Sequence, residues 1–259
     1  MQKAYSSDLT DAEWQVIKPV FADQHSYAQH SLRQIMNALF YLLKTGCQWR
    51  MLPKGFPPWK TVYTHFRKWR ESGRIQRLHA RLRRAVRLMA GRHPSPSAAA
   101  IDAQSVPTAR QGGPERGRDG GKNVKGRKRH VVARAMGLAG LAVVVGSANE
   151  SEGQKAPHVF QKLLGKVPRL EVVFADKGYE GTPSGLVDRC FGWLLSIVQR
   201  EEDGSSGGFE PIPKRWVVER TFGWFASWRR LGRDYEYLPE SSEAMIRIGM
   251  SRLMISRLK

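Results

Sequence analysis

Cysteine and long apolar runs are scarce in this 259-residue sequence. Its two cysteines, Cys47 and Cys190, are too few for a disulfide framework or a cysteine-rich zinc finger, and we expect both in the core. The longest uncharged run, residues 135–149, has 15 residues including glycines and is shorter than the roughly 20 apolar residues of a membrane-spanning helix. The first residues contain no apolar signal segment. We therefore expect a cytoplasmic protein with no membrane partner.

Acidic residues are also scarce, and this imbalance predicts a polyanionic partner. The sequence has 23 Asp and Glu against 43 Lys and Arg, a formal net charge of +20. Residues 60–92, 114–134 and 213–233 carry net charges of +10, +6 and +5, so the rest of the chain is nearly neutral. A single basic run is often only a solvated helix face, but three such patches favour a nucleic-acid-binding surface. We expect a nucleoid-associated protein, with binding to a membrane surface as the alternative.

Residues 1–92 have the periodicity of an all-helical domain. Asp8 or Thr10 can cap a first helix and Ser31 a second, which Gly46 ends. A proline-rich connector leads to a third helix, which begins after Pro58, and a fourth covers about 74–89. A helix, a connector and a basic helix predict a helix-turn-helix-like DNA-binding domain. The alternative is a helical bundle whose cations are only solvated.

A change of pattern after residue 92 predicts a second domain. Residues 93–100 are rich in proline, serine and alanine and predict a linker. Three apolar, β-branched segments follow, and strands then alternate with helices, which predicts a mixed α/β sheet over residues 101–240. Residues 112–128 are a glycine-rich basic loop without a phosphate-loop motif. We expect residues 241–259 to form a C-terminal helix that packs on this catalytic domain.

Three carboxylates lie in apolar surroundings, where an unpaired charge is costly. Asp102 lies in the first predicted strand, Asp176 ends the strand EVVFAD, and Glu219 lies in the helical segment KRWVVERTFGW. Each alone could cap a helix or form an ion pair, and Glu219 has Arg215 four residues before it. Together they can converge outside the sheet, where carboxylate oxygens hold hard divalent cations. Two such cations can clamp the attacking and leaving oxygens of a phosphodiester.

The strings that contain these carboxylates resemble a known family. IDAQSV, FADKGYEG and KRWVVERTFGW, together with LTDAEW and LKTGCQWRMLP near the N-terminus, are similar to the DDE transposases of bacterial insertion sequences, specifically the insertion sequence five group. The likeness covers nearly the whole chain. The aspartates are 74 residues apart, and Glu219 follows Asp176 by 43 residues. The family's Tyr, Arg, Glu, Lys signature is half kept, because Ile212 and Ala226 stand at the tyrosine and lysine positions.

This resemblance implies an RNase H-like fold from about residue 98, with Asp102 on the first strand, Asp176 after the fourth and Glu219 on a helix. It also implies that these three residues are catalytic and hold two Mg²⁺ ions, for which Mn²⁺ can substitute. The implied activity is DNA transposition. The enzyme would bind the terminal inverted repeats of its mobile element as a homodimer on double-stranded DNA, cleave there and transfer the strand to target DNA. The alternatives are a nuclease that only hydrolyses and a decayed or domesticated protein that binds DNA without cutting it.

Further residues are expected to support DNA binding. Trp216 and Trp224 flank Glu219, and one of them could stack on a base, although most of the tryptophans are expected to be packing residues. The seven histidines form no metal-ligand pattern, and we expect them at the surface or near phosphates. The basic side chains that we expect to contact DNA are Lys60, Arg67, Lys68, Arg70, Lys125, Arg127, Lys128, Arg129, Arg215, Arg220, Arg229 and Arg230.

Overall fold

The chain forms two compact units. The structure is a computed structural model that describes residues 5–24, 29–110, 112–134, 140–182, 184–198 and 216–258. One unit, here the helical unit, comprises Met1–Pro94 and Phe225–Lys259; the other, the sheet unit, comprises Ser95–Trp224. The first boundary, after Pro94, lies within the predicted linker. The second, after Trp224, lies within residues 101–240, and the predicted limits of the catalytic domain stay a prediction.

The helical unit is built from helices whose ends the sequence signals. Thr10 and Ser31 each form a capping box, with Glu13 and Gln34 respectively, and Gly46 ends the second helix at φ 71°. Only a residue that tolerates a left-handed backbone fits this last position. The helices are α1 (Asp11–Ile17), α2 (Leu32–Thr45), α3 (Trp59–Glu71), α4 (Arg74–Met89) and α8 (Pro239–Ile255).

Helix α8 packs within the helical unit. It contacts α4, with further contacts to α2 and α3, and its predicted packing on the catalytic domain stays a prediction. Side chains are buried all around α8, among them Met245, Ile246 and Met254, so the helix needs neighbours on every side. Arg252 at its C-terminal end donates to the buried carboxylate of Glu13, 3.1 Å away across 239 residues of sequence.

The connections between helices differ from a tight helix-turn-helix. The segment between α2 and α3 is residues 46–58 and contains a short 3₁₀ turn at Trp49–Met51. The short turn instead joins α3 to α4 through Ser72 and Gly73, where Gly73 has φ 70°. A tight helix-turn-helix has a turn of about 3–4 residues. The α2–α3 pairing as a DNA reader therefore remains a prediction.

The sheet unit has one mixed sheet, which confirms the predicted α/β class. Long strand β3 pairs antiparallel with β1 on one side and with β2 and β4, end to end, on the other. Beyond β1, β5 and β6 run parallel to it. The strands are β1 (Ala98–Pro107), β2 (Gly117–Asp119), β3 (Val124–Ala133), β4 (Ala142–Ser147), β5 (Val172–Ala175) and β6 (Leu194–Ile197), and the helices are α5 (Glu152–Gln161), α6 (Ser184–Phe191) and α7 (Trp216–Ala226).

Helices cover both faces of this sheet. Ile101 and Val173 belong to a buried core with Val159 and Phe160 of α5 and Val187 of α6. On the opposite face, Ala98, Ala100 and Phe174 line a cavity of about 160 Å³ together with Trp216 and Val217 of α7. Successive side chains of each strand point to opposite faces of the sheet, so alternate residues contact different helix layers. The result is a three-layer α/β/α unit.

Strand β3 changes the interpretation of the second basic patch. The predicted loop of residues 112–128 contains β2 and the start of β3, joined by a turn in which Asn123 has φ 52°. Along β3, Arg127, Lys128, Arg129 and His130 are all buried. Strand β3 has neighbours on both sides and α5 packed on it, and these side chains are enclosed. His79 is also buried, and both buried histidines contradict the predicted surface placement. Cys190, expected in the core, is exposed.

Buried His130 predicts acid sensitivity. Its ring is 0% exposed, and burial, then Lys128, Lys155 and Lys122, lower its pKa to about 3. In the unfolded chain the His130 imidazole is protonated below about pH 6.5, whereas in the folded chain it stays neutral down to about pH 3. The free energy of unfolding therefore falls as the pH drops from about 6.5 towards 3. We expect the wild type to lose up to about 1.4 kcal/mol per pH unit relative to His130→Leu in this window. Urea unfolding of both proteins at pH 7.5, 5.5 and 4.5 measures this difference. A constant difference across the three pH values would contradict the prediction.

None of the described helices is both long and apolar enough to cross a membrane.

Candidate catalytic site

The two predicted catalytic aspartates occupy equivalent positions on neighbouring parallel strands. The β1–β5 register pairs Ala98 with Val172 and Ala100 with Phe174, an offset of 74 residues. Asp102 and Asp176 have the same offset, and each lies two residues beyond the pair Ala100–Phe174. Asp176 directly follows β5 and caps a 3₁₀ turn by accepting a hydrogen bond from the Gly178 backbone N, 3.1 Å away. The register therefore makes the two aspartates neighbours at the point where β5 ends, halfway along β1.

Glu219 is on the helix that covers the same face as Asp102. Strand alternation puts Asp102 on the face of Ala98 and Ala100, which line a cavity with Trp216 and Val217 of α7. Glu219 lies in the first turn of α7, and its side chain is exposed. Arg215, its predicted ion-pair partner, lies outside the described residues, as do the signature position Ile212 and the rest of the segment 199–215.

Tyr179 adds a buried hydroxyl beside the two aspartates. Its side chain is 0% exposed, and its Oη makes no hydrogen bond within the described part of the chain. Burial first, and then the negative charges of Asp102, Glu152 and Asp176, raise the pKa of this hydroxyl well above its usual value. A neutral O–H donor thus lies among carboxylates, where it can donate to a water or to a bound oxygen ligand.

Glu152 is a third carboxylate close to Asp176. It lies in the first turn of α5, and burial, followed by the charge of Asp176, raises its pKa, while Lys122 and Lys128 oppose that shift. A Cβ placed on Gly178 would come within 2.1 Å of Glu152 Oε2 and 3.1 Å of Asp176 Oδ1. Any side chain at this position would therefore displace Glu152, and only glycine leaves both carboxylates where they are.

Two lysines tie Glu152 to the β2–β3 hairpin. Nζ of buried Lys128 lies 3.7 Å from Glu152 Oε1 and 3.6 Å from Asp119 Oδ2, and Lys122 Nζ lies 3.9 Å from the same Glu152 oxygen. Asp119 also accepts a hydrogen bond of 2.5 Å from Ser105 Oγ, and this bond is the main reason that its pKa is lowered. The network fixes the end of β1 beyond Asp102 against α5.

The donor set partly fits a divalent cation. Asp102 and Asp176 supply two adjacent carboxylates, the oxygen ligands that Mg²⁺ takes, and Tyr179 Oη is a buried polar atom beside them. Within the described ranges, however, no group of three or more His, Cys, Asp or Glu side chains has metal-binding geometry. The structure thus brings the two aspartates together but does not bring Glu219 into the same cluster.

Comparison with known proteins agrees with this arrangement. A family model described as "Transposase DDE domain" matches residues 93–254. The chain belongs to the DDE transposase family. The match confirms the resemblance found in the sequence and implies the RNase H-like fold for the sheet unit. A second family model, described as "Putative transposase of IS4/5 family", matches residues 9–79 of this transposase.

A curated relative supports the same family. It is described as "Putative transposase for insertion sequence element IS402" from Burkholderia cepacia and is 30% identical over 131 residues, which are 48% of this chain. Those residues span 60% of the relative's own length. No solved structure matches this transposase.

Four of the basic residues expected to contact DNA are enclosed by the fold. Arg127, Lys128, Arg129 and Arg230 are 0%, 7%, 1% and 5% exposed. Lys128 is held by two carboxylates, and Arg230 is 2.7 Å from Glu236 Oε1. A buried cation is less accessible to a phosphate than an exposed one. The burial of these four side chains therefore disfavours direct DNA contact, which stays a prediction for them.

Other predicted contacts stay open to DNA. Arg70 is partly buried, donates to Ser241 Oγ at 2.6 Å and lies 2.9 Å from Glu71 Oε1. Arg220 lies between two indoles, with Cζ 4.2 Å from the Trp216 ring and 5.0 Å from the Trp224 ring. Arg215 is outside the described residues. The exposed members are Lys60, Arg67, Lys68, Lys125 and Arg229.

Sequence reasoning missed Glu152, Tyr179 and the Asp119–Lys128 pair. Ser151 before Glu152 accepts a hydrogen bond from the Gln154 backbone N, so Glu152 has the ordinary sequence context of a helix start. Tyr179 lies within the string FADKGYEG, where it has the pattern of a packing aromatic. Their proximity to Asp176 depends on how α5 and the 3₁₀ turn meet, which no spacing along the sequence encodes.

Proposed function

We propose that this protein is the transposase of an insertion sequence, which binds the ends of its element and catalyses cleavage and strand transfer of DNA there. The observation that carries the proposal is the register of β1 and β5. In this register Asp102 and Asp176 are neighbours where β5 ends, and the chain is a member of the DDE family. The carboxyl ends of parallel strands are common ligand sites of open α/β sheets, which supports the proposal.

The proposed catalytic residues are Asp102, Asp176 and Glu219, which would hold two Mg²⁺ ions, with Mn²⁺ as a substitute. When bound, such cations activate the attacking oxygen and stabilise the leaving oxygen of a phosphodiester. The chain's own contribution is positional. The strands hold the aspartate carboxylates, and the Glu152 network holds the end of β1. Buried Tyr179 Oη presents a donor to an oxygen at this edge.

The helical unit is proposed to bind the element ends. On α3 the side chains of Val62, Phe66 and Trp69 are buried, and this fixes the opposite side of the helix towards solvent. Lys60, Arg67 and Lys68 are exposed on that side, where spacings of seven or eight residues return to one face. Two element ends are joined in one event, so we propose a homodimer on double-stranded DNA.

A charge-removal pair on α3 tests this assignment. We expect the Arg67→Ala, Lys68→Ala double variant to lose preference for element ends over unrelated duplex. Removing one side chain that hydrogen-bonds a base costs about 1–3 kcal/mol, roughly 5- to 150-fold in affinity. Stability should not change, because the ion pair between Arg67 and Glu71 is exposed and its atoms are 4.0 Å apart. Competition binding with labelled end duplex gives the ratio of the affinities for end duplex and unrelated duplex, and thermal unfolding checks the fold.

The matched control for that pair is Lys18→Ala with Lys54→Ala, which removes two exposed cations of the same unit outside α3. It should lower the affinity for both duplexes by a similar factor. If the control pair loses end preference as strongly as the α3 pair, α3 is not the reader.

One experiment separates the proposed activity from the alternatives. The DNA that flanks the gene is sequenced for short inverted repeats, and a duplex with such a repeat is incubated with the full chain, Mg²⁺ and a target plasmid. A transposase cleaves at the repeat and joins the end to the plasmid. A hydrolytic nuclease gives cleavage without joined product, and a domesticated DNA-binding protein shifts the duplex on a gel but gives neither product.

A further inference from the structure

A basic cavity in the sheet unit lies apart from the catalytic carboxylates. It has a volume of about 300 Å³ and is lined by Thr108, Ala109, Arg110, Arg116 and Lys125, and we name it the hairpin cavity. Thr108 directly follows β1, Arg116 directly precedes β2, and Lys125 lies on β3. Nothing in the family assignment or the catalytic site accounts for it.

The backbone around this cavity is closely fixed. Gly126 of β3 pairs with both Pro107 of β1 and Gly117 of β2, and a Cβ on Gly126 would lie 2.0 Å from the Val106 carbonyl O. No other residue fits there without moving β1 away from β3. The side chain of buried Arg127 donates from Nε to the Glu115 carbonyl O at 2.9 Å, which anchors the segment before β2. The cavity is thus part of the fold.

The charges around the cavity are all positive among its described lining residues. Arg116 Nη1 donates to the Arg110 carbonyl O at 3.3 Å, and neither guanidinium nor Lys125 forms an ion pair with a described carboxylate. Lys125 is also directly opposite Arg118 in the β2–β3 register, a like-charge pair that is unfavourable on its own. Elsewhere in the same hairpin, Lys122 and Lys128 are matched with carboxylates. The convergence of these cations makes the cavity attractive to an anion from outside the chain.

A phosphodiester has the right chemistry for this anion. Guanidinium groups bind phosphate oxygens through paired N–H donors, and the Thr108 hydroxyl can donate as well. The cavity opens to solvent beside exposed Arg110, Arg116 and Lys125, so a DNA backbone can reach it. We propose that the hairpin cavity binds a backbone phosphate of the DNA on which the transposase acts.

Strand β1 sets the distance between this phosphate and the site of reaction. Thr108 directly follows β1 and is six residues beyond Asp102, which is about 20 Å at about 3.3 Å per residue. Phosphates of one DNA strand advance about 3.4 Å per nucleotide along the axis. The bound phosphate is therefore distinct from the scissile phosphate and several nucleotides away from it. This inference rests on the proposed function, because it takes the site of reaction to be at Asp102.

The test pairs a neutral phosphate with a removed cation. The full chain carrying Asp102→Asn, which holds DNA without cutting it, is bound to end duplexes that each have one methylphosphonate at a different position. We expect a single position several nucleotides from the scissile phosphate to weaken binding about tenfold, the effect of losing charge-assisted hydrogen bonds. In a protein that also carries Arg110→Ala and Arg116→Ala, the same methylphosphonate should cause no further loss, and the salt dependence should fall by about one phosphate equivalent.

Lys162→Ala is the matched control, because Lys162 is an exposed cation of the same unit after α5. Its effect should simply add to that of the methylphosphonate. If the loss caused by Arg110→Ala and Arg116→Ala also adds to the loss caused by the methylphosphonate at every duplex position, the cavity does not hold a backbone phosphate and the inference fails. If inorganic phosphate binds the wild type and not the double variant, while no methylphosphonate position interferes, the cavity takes a free phosphate and the inference fails equally. A protein that binds no duplex at all refutes the proposed function.

Discussion

Cleavage and joining at element ends should fall by about 10⁴-fold or more in each of Asp102→Asn, Asp176→Asn and Glu219→Gln, as expected when one member of a cooperating catalytic set is removed. Each change keeps the size of the side chain and removes one negative charge. The double variant Asp102→Asn, Asp176→Asn should be no worse than either single one, because both carboxylates build the same edge of the sheet. End-labelled duplex with Mg²⁺ or Mn²⁺ gives the cleavage rate.

DNA binding should survive these changes and become tighter for Asp102→Asn, since a negative charge near phosphates is gone. Mn²⁺ binding measured by calorimetry provides a second readout, which should weaken together with cleavage. Glu171→Gln and Asp188→Asn remove the same charge at exposed positions of the sheet unit and should cleave at the wild-type rate. The most informative result concerns Glu219, whose side chain is exposed on α7 and outside the described carboxylate cluster. Near-normal cleavage by Glu219→Gln would remove it from the site and direct attention to Glu152.

Affinity for duplex DNA should drop by about 10³- to 10⁵-fold between 50 and 200 mM salt, the range for a protein that neutralises 6–10 phosphates. The expectation rests on exposed cations only. Arg74, Arg83 and Arg87 of the first basic patch are buried, as are Arg127 to Arg129 of the second. Enough exposed residues remain for this range, among them Lys60, Arg67, Lys68, Arg77, Arg81, Arg84, Arg116, Arg118, Lys122, Lys125, Arg229 and Arg233.

Fluorescence anisotropy with a short duplex at a series of KCl concentrations measures this slope. Removing an exposed cation should change the salt slope, whereas removing a buried cation should not. Lys125→Ala should reduce the slope by about one phosphate equivalent. Arg230→Met, which removes a charge from the pair with Glu236, should leave the slope unchanged even where it lowers stability. A slope close to zero would contradict a polyanion-binding surface.

The two aspartates could be singled out from the sequence because the short strings IDAQSV and FADKGYEG resemble a known family. Only the structure gives the register of β1 and β5, whose offset of 74 residues makes Asp102 and Asp176 neighbours. Their catalytic role stays a prediction. The caps at Thr10 and Ser31 were also readable, because a capping box lies within four consecutive residues.

The rest depends on contacts between distant segments. A run such as Arg127 to His130 has the composition of a solvated loop, and only its position between two strands encloses it. Glu152 becomes a site residue because α5 meets the turn after β5 at Gly178. Helix α8 is buried on all sides, so the spacing of its apolar residues does not mark one core-facing side. The sequence could therefore not show that α8 packs with α2, α3 and α4. Burial and pairing of this kind are properties of the assembled fold.

The return of α8 to the first helices determines when the helical unit can fold during translation. Residues up to Pro94 leave the ribosome early, but their partner α8 begins only at Pro239, after the whole sheet unit. At about 5–20 residues per second the nascent helices wait on the order of ten seconds with their apolar surface uncovered. A chain that stops before Pro239 lacks the helix that completes the proposed DNA-binding unit. Premature termination therefore leaves α2, α3 and α4 without the side chains of α8 that pack against them.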